Sequence, residues 1–542
     1  MRKTGKKLIS LAMAAVLTLG LAACGGKDSD TQTTAGETGT KTETSAGTET
    51  GSSSTDGEEK VMRFGSTGYF ATEKLDPGNG WDGWYLMYSG VTETLFKLDE
   101  TITPVPNLAL SCESDNYKDW TITLRDDVTF QNGEKMTAEA VKACLERTYE
   151  TNERAKEQME MDSIEADGQT LTIHLTGEDV ALKNTLTDPL WSIYDAANSD
   201  YETTLYCTGP YMVTEFEPFV ETVVKRYDGY WGGMPKLSEA HLITISDTES
   251  LSMALQNNEI DMAVAMPTSA ISTFENNDDY VIDAVTTSRG NRMYYNMDHE
   301  AMKDPAVRQA IAMCIDREGV SRTIYNGKAE ASWGLFPSFL PYGGTDGLTL
   351  TVDKYDPEGA AKLLAEAGWS DSDGDGILDK DGVKLELKAI TFASRKELAQ
   401  MLELLQAELG TIGIKLNVEV MESTADAVKA GEYDLDCETG VMVPTGNPQY
   451  FINLMLVTGA SSNYSHYSNA KLDELAKTLS GTADEAERID LVRQMVQMVL
   501  DDNAMTVYNH QMMTNIYTSA VKGFSTHPSE YYLLDVNTDI ER

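Results

Sequence analysis

Cysteine and histidine are scarce in this chain, and neither is patterned. Six cysteines (Cys24, Cys112, Cys144, Cys207, Cys314 and Cys437) are spread over 542 residues with no CxxC pair, which excludes a zinc ribbon and a thioredoxin-type redox motif. That density is too thin for a disulfide framework, so the cysteines are expected as small buried apolar residues. The six histidines are equally dispersed. No HExxH exists, since His299-Glu300 is followed by Ala301, Met302 and Lys303. A phosphate-cradling GxxxxGK[ST] loop and a GxSxG nucleophile elbow are also missing. The loss of every local catalytic signature argues against an enzyme. Positive charge is short too: 43 Lys and Arg face 87 Asp and Glu, a formal net charge of −44. Such a chain repels phosphate backbones, which excludes nucleic acid as a partner. Beyond the first 23 residues no apolar run is long enough to cross a bilayer.

What is present begins with an export signal. Arg2, Lys3, Lys6 and Lys7 form a basic start, and an apolar run over residues 8–23 follows, ending in Leu21-Ala22-Ala23-Cys24-Gly25. The ending resembles a bacterial lipobox, which implies cleavage before Cys24 and lipidation of its thiol. Residues 24–59 are almost all Thr, Ser, Gly, Glu, Lys and Asp, a composition that cannot bury enough apolar surface to fold and reads as a flexible tether.

The remaining chain, 41% hydrophobic overall, is long enough for sizeable cores and alternates strand and helix patterns. Val383, Leu385, Leu387 and Ala389 alternate with polar residues as in a strand. Ser394 to Glu397 has the spacing of a capping box. Leu398, Met401, Leu402, Leu405 and Leu409 then follow at helical spacing. Ile414, Leu416, Val418 and Val420 alternate as a second strand, so a right-handed parallel βαβ unit is expected. Asp304-Pro305 and Asp356-Pro357 have the chemistry of helix starts. Asp371, Asp373, Asp375 and Asp379, with Gly376, match the beginning of an EF-hand loop, but Gly382 stands where a bidentate Glu belongs. Asp371, Asp373 and Asp375 therefore form a candidate calcium loop, against the simpler reading of a polar turn.

Several blocks taken together resemble the peptide/nickel (family 5) solute-binding proteins of ABC transporters. They are WTITLRDDVTF at 120–130 with Asn132-Gly133-Glu134, Thr208-Gly209-Pro210-Tyr211, Tyr227 to Trp231, Leu255 to Asp261, Asp304 to Ala310 and Ala365 to Trp369. The resemblance implies an α/β, two-lobed periplasmic-binding-protein-like fold of type II, with an inserted subdomain and a hinge. Lobe I would hold residues 60–286 and 506–542, and lobe II residues 287–505. It also implies a monomer, lipid-anchored outside the cell membrane or in the periplasm, that needs no cofactor and delivers ligand to an ABC permease and its ATPase subunits.

Ligand class is read residue by residue. Peptide-binding members carry an Asp four residues before the Pro of an Asn/Asp-Pro motif. Here the motif is Asn447-Pro448 and the position is Pro444, so that amine anchor is missing. Nickel-binding members carry a Trp before the TLRDDV strand, an Arg after the next helix and a His in lobe II, matched by Trp120, Arg154 and His466. Met442 stands nearest to a further expected Trp. A nickel or other metal chelate is therefore favoured, with Arg154 on a chelator carboxylate, Trp120 on its face and His466 on the metal. The alternatives are a di- or oligopeptide importer and a ligand-sensing or hydrolytic lipoprotein.

The amino-terminal reading is testable by fractionation. Removing residues 1–23 should give soluble protein, and Cys24→Ala should release the chain from membranes; retention of that variant after signal cleavage would contradict the anchor.

Overall fold

The computed structural model describes residues 59–70 and 72–542. Its frame is one eleven-stranded sheet running through both lobes. In chain order its strands are β1 (Val61–Ser66), β2 (Tyr211–Glu217), β3 (Glu221–Arg226), β4 (Glu239–Thr244), β5 (Met262–Ala263), β6 (Tyr280–Tyr295), β7 (Ala329–Ala331), β8 (Glu386–Phe392), β9 (Lys415–Met421), β10 (Leu435–Val441) and β11 (Met505–Thr518). They lie in the order β9-β8-β10-β6-β11-β5-β1-β4-β3-β2, with β7 on the flank of β11.

Only β6 and β11 are long enough to serve two cores. They pair antiparallel from Tyr280↔Thr518 to Tyr294↔Met505, and the register slips between Thr286 and Gly290 and again between Asn291 and Arg292. Such irregularities leave residues unpaired and bend the strand. On one side of the slip, Met513 and Tyr517 join a core that includes Phe64, Trp191, Tyr211 and Leu534. On the other, Met293, Tyr295 and Tyr508 join a core with Val307, Leu364, Leu402 and Leu435, while Tyr294 and Val507 join a third with Phe336, Phe451 and Val496. Two lobes with separate cores are therefore strung on two shared strands.

An inserted four-stranded antiparallel sheet (Ala109–Glu113, Asp119–Leu124, Thr170–Leu175 and Met161–Asp167) belongs to lobe I. The βαβ unit forms as expected: β8 pairs parallel with β9 from Glu386↔Lys415 to Phe392↔Met421, around the helix Lys396–Thr411. The capping box does not form. Arg395 occupies the cap position and no side chain caps the helix. Asp304 and Asp356 do cap their helices, accepting from Ala306 N and Gly359 N. The five cysteines among the described residues are all free, and four of them are buried. No helix of the described residues is long and apolar enough to cross a membrane. The expected signal, Cys24 and the tether lie outside the described residues.

The chain's return is pinned by one buried ion pair. Arg289, at the β6 irregularity, bonds Glu530 of the carboxy-terminal segment at 2.8 Å, and their side chains are 11% and 2% exposed. Tyr69 donates to the same carboxylate at 3.0 Å. Burial opposes the charge on Glu530, but the Arg289 guanidinium and the converging donors outweigh it and hold the carboxyl below its ordinary value. Removing one partner of such a pair strands the other charge. Glu530→Gln should therefore cost about 3–5 kcal/mol in denaturant unfolding; a change under about 1 kcal/mol would show that the pair is not structurally decisive.

Candidate functional site

The lobes meet across a cleft whose lobe I wall is aromatic. After β1 the chain turns at Asp76-Pro77 and starts the short helix Asp82–Tyr88, which carries Trp81 at its cap, then Trp84 and Tyr85. Trp81 is 53% exposed, an unusual position for so large an apolar side chain. Its ring lies 6.0 Å from that of Trp84 and directly under Arg154, whose guanidinium carbon is 3.7 Å from the ring centroid. Trp84 donates its indole N–H to the Glu530 carbonyl at 2.6 Å.

Local sequence explains why Arg154 arrives there. Helix Ala138–Thr151 breaks at Asn152, whose side chain accepts from Arg154 N at 3.0 Å and donates to the Gly78 carbonyl at 3.0 Å. That single residue ends one helix, caps the next (Glu153–Gln158) and fastens both to the turn before Trp81. The Arg154 side chain donates to the Gly80 carbonyl at 3.1 Å, sits 3.7 Å from Asp188 and faces the Tyr450 phenol of lobe II.

Lobe II contributes Arg395, at the open amino-terminal end of the helix Lys396–Thr411. Its half-buried guanidinium acts on the phenols of Tyr69 and Tyr85 across the cleft and on Tyr325 within its own lobe; no carboxylate of the described residues pairs with it. Tyr69 is driven above the ordinary phenol range by burial first and by Glu530 second. The cleft thus offers aromatic faces and positive charge, while the Glu530 carboxylate is already engaged. A separate open cavity of about 570 Å³ lies where Ile271, Ser272 and Glu275 meet Glu318, Arg322 and Lys328.

The family profile of bacterial extracellular solute-binding proteins, family 5, matches residues 103–463. The chain belongs to this family. It is a solute-binding protein of an ABC importer, and proteins of this family work outside the cytoplasm with a permease and ATPase partners. The nickel-binding protein NikA of Staphylococcus aureus is 28% identical over 457 residues, 84% of this chain and 90% of NikA. Its structure in complex with Ni(L-His)2 superposes with a TM-score of 0.75 at 26% identity, over 89% of this chain and all of that one. A nickel ABC transporter structure from Bacillus halodurans gives a TM-score of 0.76 at 30% identity, again over 89% and 100% of the two chains. The oligopeptide-binding protein AppA of Bacillus subtilis is 25% identical over 548 residues, 97% of each chain.

Of Trp120, Arg154 and His466, only Arg154 stands on the cleft wall. Trp120 is 7% exposed within the core of the inserted sheet, because β alternation turns it inward with Ile122 and Leu124. His466 is exposed beside the lobe II end of β6: its Nδ1 pairs with Asp298, and its loop touches Tyr295 through Ser465. Tyr295 lies farther along β6 than Arg289 by roughly 20 Å at strand rise. The three residues are therefore not brought together. Asn447 accepts from Gln449 N and from Arg488, at the seam between the lobes rather than at the aromatic wall. The Asp371, Asp373 and Asp375 carboxylates do cluster, but Lys384 bonds Asp373 at 2.7 Å and also Asp375, and Asp371 accepts from Gly374 N and Gly376 N. A lysine already supplies the positive charge, so the loop reads as a polar turn. The sequence reading missed Trp81, Trp84 and Arg395. The run Trp81-Asp82-Gly83-Trp84-Tyr85 carried a signal in its density of aromatics, whereas nothing local marks Arg395.

Met442 is 1% exposed, in the core behind the cleft. It packs so closely on Gly290 that a Cβ there would lie 2.6 Å from its sulfur, so any larger residue at the strand crossing would require Met442 to shift. The same Gly290 pairs with His510, fully buried, with neither ring nitrogen bonded to the protein. Burial alone holds this imidazole neutral down to about 3. Between the ordinary 6.5 and that value the unfolded chain takes up a proton that the folded chain refuses, so stability is full above that window and falls as pH falls through it. The loss is up to about 1.4 kcal/mol per pH unit. Urea unfolding at two pH values within the window should show a smaller acid loss for His510→Leu than for the parent; equal slopes would mean that His510 is not the group responsible.

Proposed function

We propose that the cleft captures a nickel or other metal chelate carrying carboxylates, clasped between the aromatic wall of lobe I and the cationic edge of lobe II. The observations that carry this reading are the stacked Trp81–Arg154 pair on lobe I and, on lobe II, Arg395, which acts on Tyr85 of the same short helix and has no carboxylate partner among the described residues. A flat, anionic complex suits those groups: the exposed indole covers an apolar face, and a guanidinium takes a carboxylate bidentately. The likeness to two nickel proteins supports the same ligand class. In this reading the chelator supplies the metal ligands and His466 takes no part. Pro444, where an amine-binding Asp stands in peptide-binding relatives, speaks against a free peptide amino terminus.

The second reading, an oligopeptide, has one observation in its favour: the likeness to AppA spans 97% of both chains. For either ligand we infer that Cys24 is the lipid anchor, that residues 24–59 are the leash, and that the protein itself carries out no chemistry on its ligand.

Native mass spectrometry separates the ligands. The protein is presented first with a peptide mixture and then with nickel plus histidine. Mass gain only with nickel and histidine, weakened in Arg395→Ala, is the expected result. Loss of a charged hydrogen bond should lower affinity about tenfold or more. Mass gain only with peptides would replace the chelate by the peptide reading.

A further inference from the structure

A second set of contacts joins the lobes beside the place where Tyr450 meets Arg154. Three hydrogen bonds cross between the segment following the inserted strand Thr170–Leu175 and lobe II. Val180 N donates to the Ser480 carbonyl at 3.0 Å, Asn184 donates to the Thr445 carbonyl at 2.8 Å, and Gln449 donates to Asp179 at 3.0 Å. Beside them the two backbones touch. Gly446 has φ +74°, and a Cβ there would lie 1.9 Å from the Ile102 carbonyl oxygen. That position combines a left-handed backbone with no room for a side chain, so glycine is required whenever the lobes are together.

Both halves of the seam are set in place by groups of their own lobe. In lobe II, Arg488 donates to the carbonyls of Leu479 and Thr482, to Asn447 at 3.1 Å and to the Gln449 oxygen at 3.4 Å. Holding that oxygen turns the Gln449 amide nitrogen toward lobe I. On the other side Asp179 also accepts from Ala181 N at 2.8 Å, which fixes its carboxylate before lobe II arrives. Gln449 and Thr445 are 7% and 5% exposed, so the bonds form out of water, where an unmade one is costly. The gap enclosed by Asp179, Thr185, Asn447, Gln449 and Tyr450 is only about 50 Å³, room for water and not for a solute.

We propose that this seam is a latch: contacts between the lobes, made by Asp179, Asn184, Gln449 and the Arg488 that aims it, hold the closed arrangement without ligand. These are positioning residues. They set affinity through closure, because apparent affinity scales with the fraction of chains already in the competent arrangement. The inference depends on two-lobed closure and not on which ligand is captured.

Hydrogen exchange on the ligand-free protein tests it. In the parent chain the amides of residues 178–184 and 445–450 should be protected. Gln449→Glu sets a carboxylate against Asp179 and should speed their exchange about tenfold or more, while Ile173 and Val496, inside the cores, stay as protected as before. Adding Asp179→Asn to Gln449→Glu restores a donor–acceptor pair and should restore protection, a rescue that a merely damaged fold would not show. Fast exchange of the seam in the ligand-free parent, or no change in Gln449→Glu, would overturn the latch. Titration with nickel plus histidine forms a separate arm, in which Gln449→Glu should bind about tenfold more weakly than the parent. If the parent does not bind that probe, the chelate reading falls and the exchange result still decides the latch.

Discussion

Two strands have to belong to two cores at once. β6 and β11 leave lobe I paired, slip register between Thr286 and Gly290, and re-enter pairing in lobe II. Each lobe fills its interior from its own end of the same ribbon, so Val507 and Met513, both on β11, serve different cores. A ribbon of two strands is stiff along its length and soft in bending, above all where ladder bonds are missing. Everything that distinguishes this molecule from two independent domains follows from that arrangement: the cleft, its ability to close, and the need to tie the returning carboxy-terminal segment back across the junction.

That tie is the Arg289–Glu530 pair, and its chemistry decides what the cleft can hold. The carboxylate that would otherwise meet a cationic ligand is saturated by Arg289 and Tyr69. Arg154 shares its charge with Asp188 and with the Trp81 face, while Arg395 acts on the phenols of Tyr69 and Tyr85 and has no carboxylate partner among the described residues. The overall charge of −44 thus says little about the cleft, where an arginine without a carboxylate partner among the described residues stands beside phenols. Bulk acidity governs long-range behaviour; a site a few ångströms across is governed by the groups that line it.

Local chemistry was legible wherever a few neighbouring residues settle it. The Asp caps at Asp304 and Asp356 form as their spacing requires, and the parallel pairing of β8 with β9 follows from alternation on both sides of an amphipathic helix. Reading failed where the same spacing serves two geometries. Ser394 to Glu397 has capping-box spacing, yet the helix begins one residue later than that box needs and leaves Arg395 free to face the cleft. Trp120 has the chemistry of an aromatic platform, but the alternation of its own strand, with Ile122 and Leu124, already placed it in a core. His466 failed for another reason: its distance from the cleft depends on how far β6 runs, which no motif records.

The family, the α/β character, the βαβ unit and the helix starts at Asp304 and Asp356 were all readable from the chain alone, because each depends on residues near one another in it. Which side chains share the cleft was not. Trp81, Arg154 and Arg395 are far apart along the chain, and the contacts of Asp179 with Gln449 and of Arg289 with Glu530 span 270 and 241 positions. Contacts of that kind are set by the crossing of two strands and the burial of separate cores, quantities that belong to the folded chain and to no local stretch of it.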